Sequence, residues 1–459
     1  MRDADLIIVG AGPAGMAAAA TVAKAGAQVL LLDEQPQAGG QIYRNVGVHA
    51  DTRPYLGKDY LAGAPLVGAL NDPNIRCEFG AAVWRIEAGP RVVWSRDGVS
   101  HLAKARHVLL AGGAQERPVP FPGWTLPGVM AAGAVQILMK TAGLLPRGAV
   151  LAGSGPLLYL IAAQLIDAGA PPLALVETQT PSMMRKASMR LPRAFFAAPT
   201  LLKGLGLLRK IRSANVPRHT GAAGFRASTA GDGDITFSFT AKGRRRSLTT
   251  PLLLTHQGVV AATHMTRSAG ISHVWNAAQQ AFQPLVDAWG RTDVPGIHVA
   301  GDGAGISGAE AAQAGGRLAA LDILHLCGML SEDARNQQSA ADRATRWRAL
   351  AIRPFLDAAY APRPEFAAPD DATIICRCEE ITAAEIRRSV ADGASGTRQV
   401  KTATRAGMGP CQGRMCDQTV RGILSSCAIT PATPRARSPI KPIKLGELAA
   451  LAPQQEHSA

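Results

Sequence analysis

The sequence predicts an α/β fold in which two strand–turn–helix–strand units share the chain with a small cysteine-bearing domain. Three stretches predict it: residues 5–34, residues 149–177 and residues 374–416. At 459 residues the chain exceeds one ordinary core, so roughly two to four domains are expected. Hydrophobic residues make up 47 % and glycines number 48, against 5 % aromatics, which suits a globular protein with many tight strand-to-helix turns and excludes wholesale disorder.

The first unit is DLIIVGAGPAGMAAAATVAKAGAQVLLLDE. Its apolar run from Leu6 to Val9 reads as a buried strand, an Ala-rich helix follows, and Val29 to Leu32 is the second strand. Between strand and helix stand Gly10, Gly12 and Gly15 in G-x-G-x-x-G spacing. Gly10 permits the tight turn, Gly12 lets the backbone approach a pyrophosphate, and Gly15 lets helix and strand pack closely. The diphosphate rests on the helix N-terminus, where free N–H groups and the dipole favour negative charge. Asp33, 23 residues after Gly10, ends the second strand, where a carboxylate accepts ribose hydroxyls. A lone glycine triplet also occurs as a purely structural turn; the complete unit with its acidic terminus points to a bound dinucleotide.

The second unit, AVLAGSGPLLYLIAAQLIDAG, begins at Ala149 and is followed by LALVE, with Glu177 placed 24 residues after Gly153. Gly153 and Gly155 stand, but Leu158 takes the third position, where bulk is expected to push the helix from the strand and spoil the pyrophosphate seat. NAD(P) binding is therefore doubtful, and a vestigial or repurposed unit is the favoured reading. Gly10 and Gly153 mark an internal duplication, not a short repeat. A Gly-Ser-Gly-Pro turn splits the apolar run 149–166, which reads as core and not as a membrane span. LLLTHQGV, residues 252–259, is the strand returning the chain to the first domain, and its His256 reads as structural.

Cys376 and Cys378 form a C-x-C pair, Cys411 and Cys416 a C-x-x-x-x-C pair, and 32 residues separate the pairs. Glycine and proline flank the second pair, leaving the backbone free to aim thiolates and donate N–H groups to sulfide. This pattern favours a [2Fe–2S] cluster. Structural zinc is the alternative, although C-x-C is less common among its C-x₂₋₄-C knuckles. Cys77, Cys327 and Cys427 are expected as buried small hydrophobes, and this cysteine usage fits a reducing cytoplasm. No leader-like apolar segment opens the chain. No C-x-x-C lies near the glycine loops and no Ser–His–Asp or zinc-hydrolase motif occurs, which argues against dithiol reductase and hydrolase chemistry.

The net charge is +15, and residues 181–220 carry nine Lys or Arg and no acidic residue. Such a stretch is a solvated helix face, or a contact for nucleic acid, an anionic membrane surface or an acidic partner; for the chain as a whole no nucleic-acid partner and no transmembrane segment are expected. Residues 346–372 read as a Pro-rich linker, TAAEIRRSVADGA as a helix capped by Thr382 and Glu385, and 431–459 as a Pro-rich basic tail that docks along another surface.

Four stretches resemble known families. VPGIHVAGDGAGISGAEAAQAGGRL, residues 294–318, resembles the second FAD fingerprint of two-dinucleotide-domain flavoproteins. The resemblance implies that Gly301 and Asp302 hold the ribityl chain and that the helix near Ala311 to Gln313 lies under the flavin N1/O2 side, where its dipole favours the negative charge of reduced flavin. AGGQIYR, residues 38–44, resembles the post-strand loop of that group, with Gln41 as a flavin-side contact. VLLAGGAQERP, residues 108–118, occupies the A-T-G position, with Gly112, in place of the usual threonine, and Gly113 near FAD. The four-cysteine stretch resembles the BFD-like [2Fe–2S] domain. The chain then reads as an FAD-binding domain over 1–126 and 263–345, a second dinucleotide-type domain over 127–262, and a cluster domain over 373–430.

Taken whole, the chain resembles the α-type member of multi-subunit amino- and imino-acid dehydrogenases, the group of opine oxidases, D-hydroxyproline dehydrogenases and hydrogen cyanide synthases. LLLDEQPQAGGQIYR, GAQERPVPFPGWTLPGVM, THQGVV, ICRCEE and GMGPCQGRMC carry that resemblance. It implies a FAD-containing amine-oxidising β subunit, an FMN at the interface between subunits, a small ferredoxin-like subunit, and no catalytic residue in this chain. A self-contained NAD(P)H-dependent FAD/[2Fe–2S] reductase is the competing reading, with Glu177 for it and Leu158 against it. A non-enzymatic cluster-storing docking protein is the third.

Overall fold

Five parallel strands form the first sheet, in the order Ile297–Val299, His107–Leu110, Leu6–Val9, Val29–Asp33, Ile75–Phe79. This computed structural model of the protein describes residues 3–430, 432, 433 and 435–451. Both faces of the central strands are covered, which is why they read as unbroken apolar runs. Helices Pro13–Lys24 and Ala309–Leu326 pack on one face around Met16, Val22, Leu31 and Ile323. An antiparallel meander, Ala82–Glu87, Arg91–Arg96 and Val99–Lys104, covers the other through Val83, Val92 and Trp94. The strand order reverses between Leu6–Val9 and His107–Leu110, so a crevice opens at their C-terminal ends, the place where open α/β sheets take ligands.

The second unit repeats this plan. Arg218–Thr220, Ala174–Glu177, Ala149–Ser154, Leu252–Gln257 and Val129–Ala131 form a second parallel sheet, and Ala223–Thr229, Ile235–Ala241 and Arg244–Thr250 a second meander. The meander buries Phe225, Phe237 and Phe239 against the sheet. Two short antiparallel strands, Ala114–Glu116 and Val259–Ala261, carry the chain out of the first unit and back.

Residues 346–372 differ from the expected linker, because they are largely helical and packed. Glu332–Ala351 runs into them, followed by Arg353–Ala359 and Pro364–Ala367. Pro354 and Pro364 sit in first turns, where a missing N–H costs nothing, so these prolines start helices. Ile352 packs with Ala194 and Ala197, and Phe366 lies against Phe225. The cysteine domain has a small hairpin, Ile374–Cys376 with Ile381–Thr382, and helices Ala383–Ala391, Thr397–Thr404 and Asp417–Ser426 around Ile386, Val400 and Ile423. Thr382 and Glu385 form the expected capping box. The described part of the tail docks on the first meander: Ile440 donates its N–H to Trp84 O, and Leu451 packs on Trp84 and Val93. Among the described residues no helix is long and apolar enough to cross a membrane.

Candidate cofactor sites

The glycine turn of the first unit is a slot that side chains would fill. Gly10 has φ +111°, and a Cβ there would lie 2.5 Å from Ala111 O; one on Gly15 would lie 1.9 Å from Gly10 O. Gly12 faces Gly40, whose Cβ would come 2.8 Å from Gly12 Cα, so two bare backbones line the entrance. No side chain caps the Pro13–Lys24 helix at Gly12, which leaves its N-terminal N–H groups free for phosphate oxygens. Asp33 stands beside them, Oδ2 accepting from Ala11 N at 2.6 Å and Oδ1 from Gln35 N at 2.7 Å. Burial pushes its carboxyl up, and those two N–H groups and Arg44 oppose the rise.

The second fingerprint closes on this slot from across the sheet. Gly301, at φ +72°, brings its backbone so near the first helix that a Cβ would lie 2.8 Å from Ala14 Cβ, and one on Gly316 would lie 2.1 Å from Ala14 O. Asp302 Oδ1 accepts from Ser307 N at 2.8 Å and Gly308 N at 3.0 Å, which shapes the loop entering the Ala309–Leu326 helix. Gly303 lies against Gly113, and Gly112 faces Met265. Gly10, Gly12, Gly15, Asp33, Gly112, Gly113, Gly301 and Asp302 thus converge on one crevice lined largely by bare backbone.

Gln41 is held at the flank of the crevice: its Oε1 accepts from Arg44 Nη2 at 3.3 Å and its carbonyl from Lys140 Nζ at 2.9 Å. Gln313 donates to Tyr43 Oη at 3.0 Å, which ties the 38–44 loop to the helix. Lys140 is 3 % exposed and pairs with no carboxylate among the described residues; burial, with Arg44 adding, pulls its pKa down to about 7. Gly40, Tyr43, Lys140 and Gly316 escaped sequence reasoning, because each acts on a partner remote in the chain.

At the equivalent place in the second unit the acidic strand end is engaged from within. Glu177, at the ribose position, is fully buried. Its Oε1 accepts from Tyr159 Oη at 2.6 Å, Gln179 Nε2 at 2.6 Å and Arg218 Nη2 at 2.7 Å, and Oε2 from Arg218 Nε at 2.8 Å. Tyr159 is braced by the ring of Tyr360, brought there by the 353–367 helices. Leu158 is fully buried in the core under the Pro156–Asp167 helix. His256 pairs through Nδ1 with Glu116 Oε1, and Glu116 Oε2 accepts from Gly133 N at 2.9 Å; the pair staples the strand to the crossing between units.

In the last domain Cys376 lies beside Cys416, and Cys378 beside Cys411. The Cys416 thiol donates to Cys376, backbone N–H groups of Gly407, Glu379 and Cys378 point at it, and together they pull the Cys376 thiol down to about 5. Cys416, the donor, is pushed up. Gly409 leaves room for Cys378, whose Cβ a side chain there would meet at 2.2 Å. Among the described residues no three His, Cys, Asp or Glu converge as one metal site. Two thiol pairs on adjoining loops fit a dinuclear cluster, which asks two thiolates of each iron, better than a tetrahedral zinc. Cys77, Cys327 and Cys427 are half-buried, less enclosed than expected, the first two at the edge of the first core.

Both cysteine loops are fastened to the first domain. Trp124 Nε1 donates to Ile374 O at 2.6 Å, Gln115 Nε2 to Arg414 O at 3.0 Å, Gln418 Nε2 to Gln280 O at 2.9 Å, and His264 Nε2 bonds Gln412 O at 2.9 Å. Gln115 is two residues beyond Gly113, and His264 adjoins Met265, which touches Gly112. The crevice and the cysteine loops therefore share a wall. Of the nine cations in 181–220, Lys203, Lys210 and Arg218 pair with Asp59, Asp167 and Glu177.

Residues 4–316 match the family described as pyridine nucleotide-disulphide oxidoreductase, and residues 374–426 match the BFD-like [2Fe-2S] binding domain. An opine oxidase subunit from Agrobacterium tumefaciens (strain Ach5) is 45 % identical, the alignment covering 97 % of this chain and 92 % of that one. Hydrogen cyanide synthase subunit HcnB of Pseudomonas aeruginosa is 35 % identical, covering 89 % and 90 %. Among solved structures, L-proline dehydrogenase from P. horikoshii superposes with a TM-score of 0.70 at 19 % identity, over 97 % of this chain and 79 % of that one, a likeness of fold.

Proposed function

The chain belongs to the pyridine nucleotide-disulphide oxidoreductase family and ends in a BFD-like [2Fe–2S] domain, and from that premise we propose that it is the electron-transfer subunit of a multi-subunit amino- or imino-acid dehydrogenase whose substrate is oxidised in a partner subunit. FAD and the [2Fe–2S] cluster are the cofactors of the two domain families. The names of the relatives, subunits of an opine oxidase and of a hydrogen cyanide synthase, support the reading. So does the shared wall between crevice and cysteine loops.

The observation that carries it is Glu177. A carboxylate at that strand end holds the ribose of NAD, and here Arg218, Tyr159 and Gln179 already use it in full burial. The electron donor in this reading is a partner, an amine-oxidising β subunit with its own FAD; an FMN at the interface would relay electrons between the subunits, and a small ferredoxin-like subunit would complete the complex.

In this reading the residues divide the work of holding. Gly10, Gly12 and Gly15 seat the pyrophosphate on the first helix, Asp33 takes ribose hydroxyls, and Gly301 and Asp302 take the ribityl chain. Gly112 and Gly113 form the wall, Gln41 the flavin-side flank. Cys376, Cys378, Cys411 and Cys416 bind iron as thiolates, steadied by backbone N–H groups such as those on Cys376. Bound FAD exchanges electrons in pairs with a hydride-type partner and singly with a cluster, so the two together convert between these steps. Electron transfer itself asks no acid or base of the protein, and none is assigned.

An anaerobic titration of the cluster-reconstituted chain with NADH and then NADPH, followed by flavin absorbance, tests this. The flavin is expected to stay oxidised with both and to bleach with dithionite. Rapid stoichiometric bleaching by either nucleotide would establish the self-contained reductase instead.

A further inference from the structure

At the junction of the first domain and the cysteine domain lies a cavity of about 50 Å³, walled by Arg267, Arg414, Arg421 and a single carboxylate, Asp417. Arg421 is 4 % exposed. Its Nε donates to Asp417 Oδ2 at 3.0 Å and its guanidinium lies 4.8 Å from the centroid of the Phe282 ring, yet Nη1 and Nη2 have no partner. Arg267 shares the same carboxylate at 3.3 Å and leaves Nε unpartnered. Arg414 is spent on the carbonyls of Cys411 and Ile440.

Three guanidinium groups therefore line a half-open cavity with one carboxylate among its walls. Water could accept from the free N–H groups but offers no paired oxygens to the fork, and buried donors left without a partner are disfavoured. A small oxyanion meets both needs, since its paired oxygens match the guanidinium fork.

We propose that this cavity is an oxyanion site of the phosphate class, held by the Nη1 and Nη2 fork of Arg421 with Arg267 beside it, and that its occupancy locks the cysteine domain onto the first domain. Inorganic phosphate is the simplest member of that class and serves as the probe. The site is built from groups that neither cofactor uses, and it stands whether or not the electron donor is an amine-oxidising partner.

The test is the melting temperature of the full chain, loaded with FAD and cluster, as inorganic phosphate replaces chloride at fixed ionic strength. A saturable rise with phosphate is expected, with half-saturation displaced by about tenfold or more in Arg421→Met, which removes the charge-assisted fork. No rise, or an equal rise in Arg421→Met, overturns the proposal. Should Arg421→Met not fold, Gln418→Glu decides. Gln418 lines the cavity, and a carboxylate there offers paired oxygens to the fork from within, so this variant is expected to lose the phosphate response; a response equal to that of the natural chain overturns the proposal.

Discussion

Replacing Lys140 with methionine isolates the cost of keeping a cation buried where the second unit meets the first. The side chain is 3 % exposed, and burial first, then Arg44, brings its pKa from 10.5 to about 7. The unfolded chain keeps the proton to about pH 10.5 and the folded chain releases it near 7, so in that window the unfolded state binds more protons and stability rises with pH. At 1.36 kcal/mol per unit, the penalty on the folded state is about 4 kcal/mol at pH 7 and about 2 kcal/mol at pH 9. Lys140→Met removes it but also loses the donor to Gln41 O and Gln136 Oε1, a pH-independent cost of about 1–3 kcal/mol. Urea unfolding of the FAD-loaded chain and of the variant at both pH values gives two differences in stability. The variant is expected to be more favoured at pH 7 than at pH 9 by about 2 kcal/mol. Equal differences at the two pH values would mean that Lys140 titrates as a solvated lysine, and the reasoning from burial would fail.

Other perturbations read other parts of the assembly. Gly316→Ala drives a methyl against Ala14 O, so the Pro13–Lys24 and Ala309–Leu326 helices must part; a loss of about 1–3 kcal/mol and weaker FAD retention are expected by thermal shift and flavin content. Arg218→Met strips the buried Glu177 of its ion pair and should cost about 3–5 kcal/mol in chemical denaturation while conferring no reduction by NADH. Serine at Cys376, Cys378, Cys411 or Cys416 should abolish the cluster's visible absorbance and iron content and leave the flavin spectrum in place, whereas serine at Cys77, Cys327 or Cys427 should keep the iron. Trp124→Phe removes the hydrogen bond to Ile374 O and should loosen the cysteine domain by about 1 kcal/mol, read as faster amide exchange in its hairpin.

What the sequence disclosed was what is local in it. G-x-G-x-x-G, its acidic strand end and the paired cysteines each lie within one turn or one strand–helix–strand unit, so spacing alone carries their chemistry. Gly40 and Gly316 gave no such signal, because what they make room for is Gly12 in one case and Ala14 in the other. The fate of Glu177 was hidden for the same reason. Its position promised a ribose contact, and only the fold brings Arg218 and Tyr159 to it. The prolines of 346–372 were ambiguous locally, since the same residue that breaks a helix inside also begins one, and packing on the second unit decides which. Even the duplication was half visible: the glycines announced it, while the matching meanders, with no fixed motif, did not.

The docked tail has a consequence for how the molecule is made. Ile440 bonds Trp84 O, its own carbonyl takes Arg414 Nη2 at 2.5 Å, Pro439 O takes Gln412 Nε2 at 3.0 Å, and Lys441 meets Glu34. One short segment thus grips the first domain and the cysteine loop together, and it is translated after everything it touches. Domains fold as units while the chain emerges. The thiols therefore have an interval during synthesis in which their loop is formed but not yet clamped, and iron can be delivered to it before the last residues shut the seam.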